Sequence, residues 1–396
     1  MVPKTTSPTV SSARSSVAVA NVLRDRIESG HYQAGEWLPT ERVLTEDLRV
    51  HRRVVRIAID HLVQEGLISR RPHCRPVIAG PVRSSVRAPQ GTDNAAGPPL
   101  STSRLVALIM WHGGNLEQGG TAQQRIFWGI NQALGQAGYH TVFLDLGEEI
   151  GSDTENAVRE ATHLRYALEQ GLGGVIFYPY AYQHNRELIQ EVSQRLPFCL
   201  IDRALPGVEA DFVGTNNYQG MFDATTHLIE QGHHRIAYVT KSEPINPVQD
   251  RLQGYLSALH QAFGERADEI VLTAPSFADR HWSLFDTVFG LPEGERPTAV
   301  LAFNDYEAVR AFERLERLNL RVPEDVALAG FDSIVQTLPG GVGLTSVAQP
   351  FEELGRTAAN AFLRRIKNPS SLPSYTELPA RLIIRESSGA VPVGKK

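Results

Sequence analysis

The chain has 396 residues, 42% of them hydrophobic and 21% charged, which suffices for two or three domains with packed cores. Only 2 Cys, 33 Gly and 24 Pro exclude a disulfide-stapled miniprotein, a collagen-like repeat and a polar disordered chain. The net charge of −5 is unevenly placed: residues 1–90 carry 14 Lys and Arg against 8 Asp and Glu, the remainder 25 against 36, so one end alone suits a polyanion.

No stretch reaches the roughly 20 apolar residues a membrane helix needs, and the apolar run near Val17–Leu23 is too short for a secretory signal. The expectation is a cytoplasmic protein with no membrane partner, in which Cys74 and Cys199 are free thiols. Apolar residues at Val19, Leu23 and Ile27 predict a helix stopped by Gly30. A short helix capped by Thr40 follows, then a third from about Arg52 to Glu65, stopped by Gly66, and an extended hairpin over Leu67–Ile78. Residues 81–103, rich in Pro, Gly, Ser and Thr, read as a linker.

Beyond the linker, short apolar runs alternate with helical stretches. The runs are Leu105–Trp111, His140–Leu146, Gly174–Tyr178, Phe198–Asp202, Arg235–Thr240, Ala299–Phe303 and Val326–Phe331. Helices are expected at about 122–137, 156–170, 183–195, 218–231, 250–263 and 305–318. Continuously apolar strands separated by helices predict an α/β body with parallel sheets covered on both faces, in two doubly wound lobes. Such sheets bind ligands beyond the carboxyl ends of their strands. Residues 390–396 read as a tail.

The second and third helices, separated by a turn of about three residues, have helix-turn-helix spacing. Val55, Ala58, Ile59 and Leu62 would face the core, while Arg52 and Arg56 share another face one turn apart, with Arg53 beside them. Guanidiniums so grouped suit phosphates and guanine edges in a major groove; a solvated charged face is the alternative. Residues 15–80 resemble the winged-helix DNA-binding domain of the GntR family. The resemblance rests on Gly30 and Gly35, Leu38-Pro39-Thr40-Glu41-Arg42-Val43-Leu44, Val50-His51-Arg52-Arg53-Val54-Val55-Arg56 and Leu62-Val63-Gln64-Glu65-Gly66-Leu67-Ile68. It implies double-stranded operator DNA as partner, with Arg42, Arg52 and Arg56 in contact with it and Glu41, His51, Arg53 and His73 as further DNA-binding candidates. His51 stands where the family has Ser or Thr, and the wing at Arg71–Arg75 lacks the usual Gly-x-Gly.

In the body, polar residues close several runs: Asp202 and Arg203, Asn304 and Asp305, and Asp332, with Arg251 just before Gly254-Tyr255. Asp, Asn and Arg suit vicinal hydroxyls, although Asn304 before a helix is equally a cap. Residues 104–389 resemble the effector-binding domain of the LacI family, a two-lobed periplasmic-binding-protein-like fold. The resemblance rests on Cys199–Arg203, His227–Ile236, Arg251–Tyr255, Pro297–Asp305, Val322–Val326, Gly330–Asp332 and Leu344–Val347. It implies that Asp202, Arg251, Asn304 and Asp332 line the cleft with Trp282 as an aromatic wall, and that Gln123 and Phe351 are weaker candidates. The hinge helix of that family is not recognisable in the linker.

No His-Glu-x-x-His, Cys-x-x-Cys or Gly-x-Ser-x-Gly pattern is present, and Val213–Asn217 reads as a loop without phosphate-loop spacing. His51 and His233-His234 lack a third metal ligand in the sequence. No cofactor, metal or catalytic residue is expected. The reading is a dimeric regulator, repressor rather than activator, whose effector is a monosaccharide or, alternatively, a purine. A nucleic-acid-associated enzyme and a pure sugar-binding module are the competing classes.

Overall fold

The computed structural model describes residues 16–29, 31–32, 36–64, 67–69, 76–78, 103–111, 122–147, 153–180, 182–243, 245–274 and 280–389. They form two compact units, one within Met1–Ala96 and one built from Gly97–Ala204 and Glu209–Lys396. The predicted wing at Arg71–Arg75, most of the linker and the tail lie outside the described residues.

In the first unit, helices α1 (Ser16–Glu28), α2 (Glu41–Leu48) and α3 (Arg52–Gln64) precede strands β1 (Ile68–Ser69) and β2 (Val77–Ile78), paired antiparallel with Ile68 opposite Ile78. Thr40 caps α2 by accepting the Val43 N–H at 3.3 Å, and Arg49 ends it in the left-handed region at φ 52°. Leu23, Leu38, Leu44, Val55, Ala58, Ile59 and Leu62 are buried in one core with Ile68 and Ile78. That core leaves the 52, 56, 57 and 60 positions of α3 facing outward.

The body contains two six-stranded sheets of matching order. The first comprises β3 (Leu105–Met110), β4 (His140–Asp145), β5 (Val175–Phe177), β6 (Phe198–Ile201), β7 (Asp211–Thr215) and β13 (Tyr375–Leu378), in the order β13-β7-β6-β5-β3-β4. The second comprises β8 (Ile236–Lys241), β9 (Ile270–Ala274), β10 (Ala299–Ala302), β11 (Ala327–Asp332), β12 (Thr345–Ala348) and β14 (Arg381–Ile383), in the order β14-β12-β11-β10-β8-β9. Every pairing is parallel except β12 with β14. Strands such as β5 and β10 are buried at every residue, which is why they read as unbroken apolar runs.

The helices are α4 (Ala122–Gln136), α5 (Asp153–Glu169), α6 (Tyr182–Arg195), α7 (Asn217–Glu230), α8 (Asn246–Phe263), α9 (Arg280–Phe289), α10 (Asp305–Arg317) and α11 (Phe351–Lys367). The chain leaves the first sheet after β7, re-enters that lobe through α11 after β12, and returns to the second sheet after β13. Helix α11 packs against α4 so closely that a Cβ at Gly129 would meet the Glu352 carbonyl oxygen, and one at Gly355 the Ile126 carbonyl oxygen. β7, β9, β12 to β14, α9 and α11 are elements the apolar runs did not predict. The expected loop Val213–Asn217 is instead the end of β7 and the start of α7, with Asn216 capping α7 by accepting the Gln219 N–H at 2.9 Å. Cys199 is a free, buried thiol on β6, and burial pushes its ionisation up; Cys74 lies outside the described residues.

Candidate functional site

On the first unit, the Thr40 cap sets Glu41 at the start of α2, beside the first turns of α3. The Glu41 carboxylate accepts Arg52 Nε at 2.7 Å, Arg56 Nε at 3.1 Å and Arg56 Nη2 at 3.0 Å. Burial pushes the Glu41 carboxyl up, but hydrogen bonds from Arg56 and Arg52 outweigh it and hold it below the usual range. The Arg52 and Arg56 side chains remain 60% and 54% exposed, so their remaining donors face solvent on a common front. His51, Arg52, Arg56, Ile57 and Asp60 line one concave patch. Arg42 and Arg53 occupy the second positions of α2 and α3; His73 lies outside the described residues.

In the body, Asp202 follows β6 with φ +64° and Asp332 ends β11 with φ +98°, each in the left-handed region. Arg251, buried in α8, has its guanidinium against the rings of Phe303 and Phe331, 4.6 and 3.8 Å from their centroids. It donates through Nε to Asn217 Oδ1 at 2.8 Å, through Nη1 to the Phe303 carbonyl at 2.8 Å and through Nη2 to Asp332 Oδ1 at 3.3 Å. Gln349 Nε2 also donates to Asp332 Oδ1, at 2.7 Å, while the buried Gln349 Oε1 has no hydrogen-bond partner among the described residues. Asp202, from the other lobe, accepts the Tyr178 hydroxyl at 2.7 Å. Burial pushes the Asp332 carboxyl up; Arg251 opposes this, and the charge of Asp202, from the other lobe, adds to it.

The structure therefore groups Asp202 and Asp332, at the carboxyl ends of strands, with Arg251 of α8, and sets Asn217, Gln349 and Tyr178 beside them. Sequence reading missed those three, because an amide or phenol outside a recognised motif carries no periodic signal. Asn304 serves as the α10 cap, accepting the Glu307 N–H at 2.9 Å. The fully buried Asp305 accepts the Ile334 and Val335 N–H groups at 2.6 and 3.0 Å and the Ser346 hydroxyl at 2.6 Å. Burial and the charge of Asp332 push the Asp305 carboxyl up to about 7. Asp305 thereby holds the turn that follows Asp332.

The other three candidates sit elsewhere in the described contacts. Trp282, expected as an aromatic wall, is 2% exposed in the core of the second lobe, edge-on to Phe285 at 5.3 Å. Phe351 is buried at the start of α11, with the Arg125 guanidinium 5.3 Å from its ring centroid. Gln123 lies half-buried in the first turn of α4. Arg203 lies against the rings of Tyr178 and Tyr180, at 5.1 and 5.3 Å. His233 Nδ1 pairs with Thr298 Oγ1 at 2.9 Å, and the described residues contain no group of three or more potential metal ligands. No helix among them is long and apolar enough to cross a membrane.

Known proteins bear on both units. Residues 15–74 match the family described as bacterial regulatory proteins, gntR family, and residues 225–388 match the periplasmic binding protein-like domain. The chain joins a GntR-type helix-turn-helix domain to a periplasmic-binding-protein-like body. The arabinose metabolism transcriptional repressor of Geobacillus stearothermophilus is 26% identical over 352 residues, covering 87% of this chain and 89% of that protein. The ribose operon repressor of Haemophilus influenzae is 32% identical over 201 residues, which is 50% of this chain and 59% of the repressor, under two thirds of its length. Among solved structures, the complex of the transcriptional regulator CelR with cellobiose aligns over 96% of this chain and 100% of that one, with TM-score 0.59 and 23% identity, a likeness of fold. The two sequence relatives are thus named transcriptional repressors, and the solved structure a transcriptional regulator.

Proposed function

We propose that this protein is a ligand-responsive transcriptional repressor and not an enzyme: a helix-turn-helix reader for double-stranded operator DNA joined to a two-lobed effector sensor. The observation that carries the sensor half is the cluster in which Arg251, Asp332 and Gln349 converge with Asp202 from the opposite lobe. Three donors of Arg251 are already engaged, and its guanidinium lies against two rings. What the cluster offers a ligand is acceptors: the carboxylates of Asp202 and Asp332 and the buried Oε1 of Gln349. A ligand rich in O–H or N–H donors satisfies them, whereas a phosphate or carboxylate would meet like charge with no released cation to balance it. An uncharged monosaccharide fits this description.

The names of relatives, an arabinose metabolism repressor and a ribose operon repressor, support pentoses as first candidates. The reader half rests on the Arg52 and Arg56 pair held by Glu41, in a domain of the gntR family. Two copies joined through their bodies would read paired half-sites, each raising the effective concentration of the other. Calorimetry of the whole chain with arabinose, ribose, galactose, their phosphates and hypoxanthine, with and without bound DNA, tests the proposal. A neutral sugar should bind and shift duplex affinity, and the shift must be reciprocal. Preference for a sugar phosphate, or turnover of any of these compounds, would refute it.

A further inference from the structure

The described exposed side chains of α3 are Arg52, Arg56, Ile57 and Asp60, three charged residues and one apolar. Ile57 is 40% exposed and lines the same concave patch as His51, Arg52, Arg56 and Asp60. It takes no part in the core of its domain, which Val55, Ala58, Ile59 and Leu62 fill from the opposite side of the helix. Helix formation does not favour it either: a β-branched residue at an exposed helical position is a poorer choice than Glu, Gln, Lys or Arg. The folded domain alone thus gives no return for an isoleucine there.

The surroundings restrict what can cover it. Glu41 holds Arg52 and Arg56 along one edge of the patch, and the charge of Asp60 acts on Arg56. A phosphate suits the guanidiniums, not the branched tip of Ile57. The edges of base pairs in a major groove are polar except at one group, the C5-methyl of thymine. With this helix in the groove, a side chain beside Arg56 meets a base edge, and an aliphatic tip gains only by covering that methyl.

Resting on the reading of this domain as a DNA reader, we infer that Ile57 is a specificity-determining residue that recognises the C5-methyl of a thymine in the major groove. The contact carries sequence information separate from the charge-based hold of the two arginines. Burying one methyl-sized apolar group is worth about fourfold in affinity, equivalent to ~0.8 kcal/mol.

The test uses the full chain. Duplexes are selected from a randomised pool, and each thymine of the tightest is replaced in turn by deoxyuridine, which removes the methyl alone. At least one replacement should weaken the wild-type protein about fourfold and leave the binding of Ile57→Ala unchanged, the signature of a coupled pair. Ile57→Val keeps a branched tip and should keep the preference; where Ile57→Ala binds too weakly to measure, lower salt strengthens the phosphate contacts of wild type and variant alike and restores the comparison. Replacements that affect wild type and Ile57→Ala equally would overturn the inference while leaving the reader assignment intact. A wild-type chain that enriches no duplex would overturn both.

Discussion

Replacing Asp332 tests the candidate effector site most directly, because one residue combines a buried charge pair with a left-handed backbone. Its side chain is 14% exposed and that of Arg251 4%, with Nη2 and Oδ1 3.3 Å apart. Removing the carboxylate leaves the Arg251 guanidinium without its counter-charge against the rings of Phe303 and Phe331, and leaves Gln349 Nε2 without its acceptor. Breaking a buried pair in this way costs about 3–5 kcal/mol. Three variants separate the contributions. Asp332→Asn keeps an acceptor for Arg251 and tolerates φ +98°, and should cost about 1–2 kcal/mol. Asp332→Gly loses the charge without backbone strain, and Asp332→Ala adds about 1 kcal/mol of strain to the same loss. The stability order in denaturant titrations of the ligand-free chain is therefore wild type, Asn, Gly, Ala, and effector binding should vanish in the last two. Asp332→Gly within 1 kcal/mol of wild type, or Ala no worse than Gly, would refute the reasoning.

Three further outcomes follow from the same structure. Asp250 is buried in α8, and burial followed by the charge of Glu377 pushes its carboxyl up to about 8. Its folded value lies above its unfolded one, so the stabilisation present at pH 4 is lost as pH rises through 8, and Asp250→Asn should flatten that fall in melts from pH 4 to 8; an unchanged slope counts against it. Arg52→Ala should cost about 1–3 kcal/mol on a selected duplex if it reads a base but little stability, because its side chain is exposed and Glu41 keeps both its bonds from Arg56; equal losses on selected and random duplexes would reassign it to a phosphate. Gly355→Ala drives a methyl onto the Ile126 carbonyl and should cost about 1–3 kcal/mol, with a normal Tm as the contrary result.

The alternation of apolar runs and helical stretches was legible in the sequence because period and burial are local properties of strands sealed on both faces. So were the spans resembling the gntR family and the LacI family, since each is a contiguous motif. Edge and crossover elements were not: β7 begins at Asp211 and includes Gly214, and α11 spends its apolar face on α4, more than 200 positions earlier. The candidate site divides in the same way. Strand ends placed Asp202 and Asp332, and a helical motif Arg251, among the candidates, yet only the chain crossing between the lobes sets Asp202 with the other two, and the pairing of β12 with β11 brings Gln349 to Asp332. Trp282 has the same local sequence whether it faces a ligand or a core, and the packing of α9 over the second sheet buries it. Asn304 has one side-chain oxygen, and the helix that follows takes it as a cap. Local chemistry thus determines which groups are available, while long-range packing decides which of them meet, because desolvation and charge pairing act through space between residues far apart in the chain.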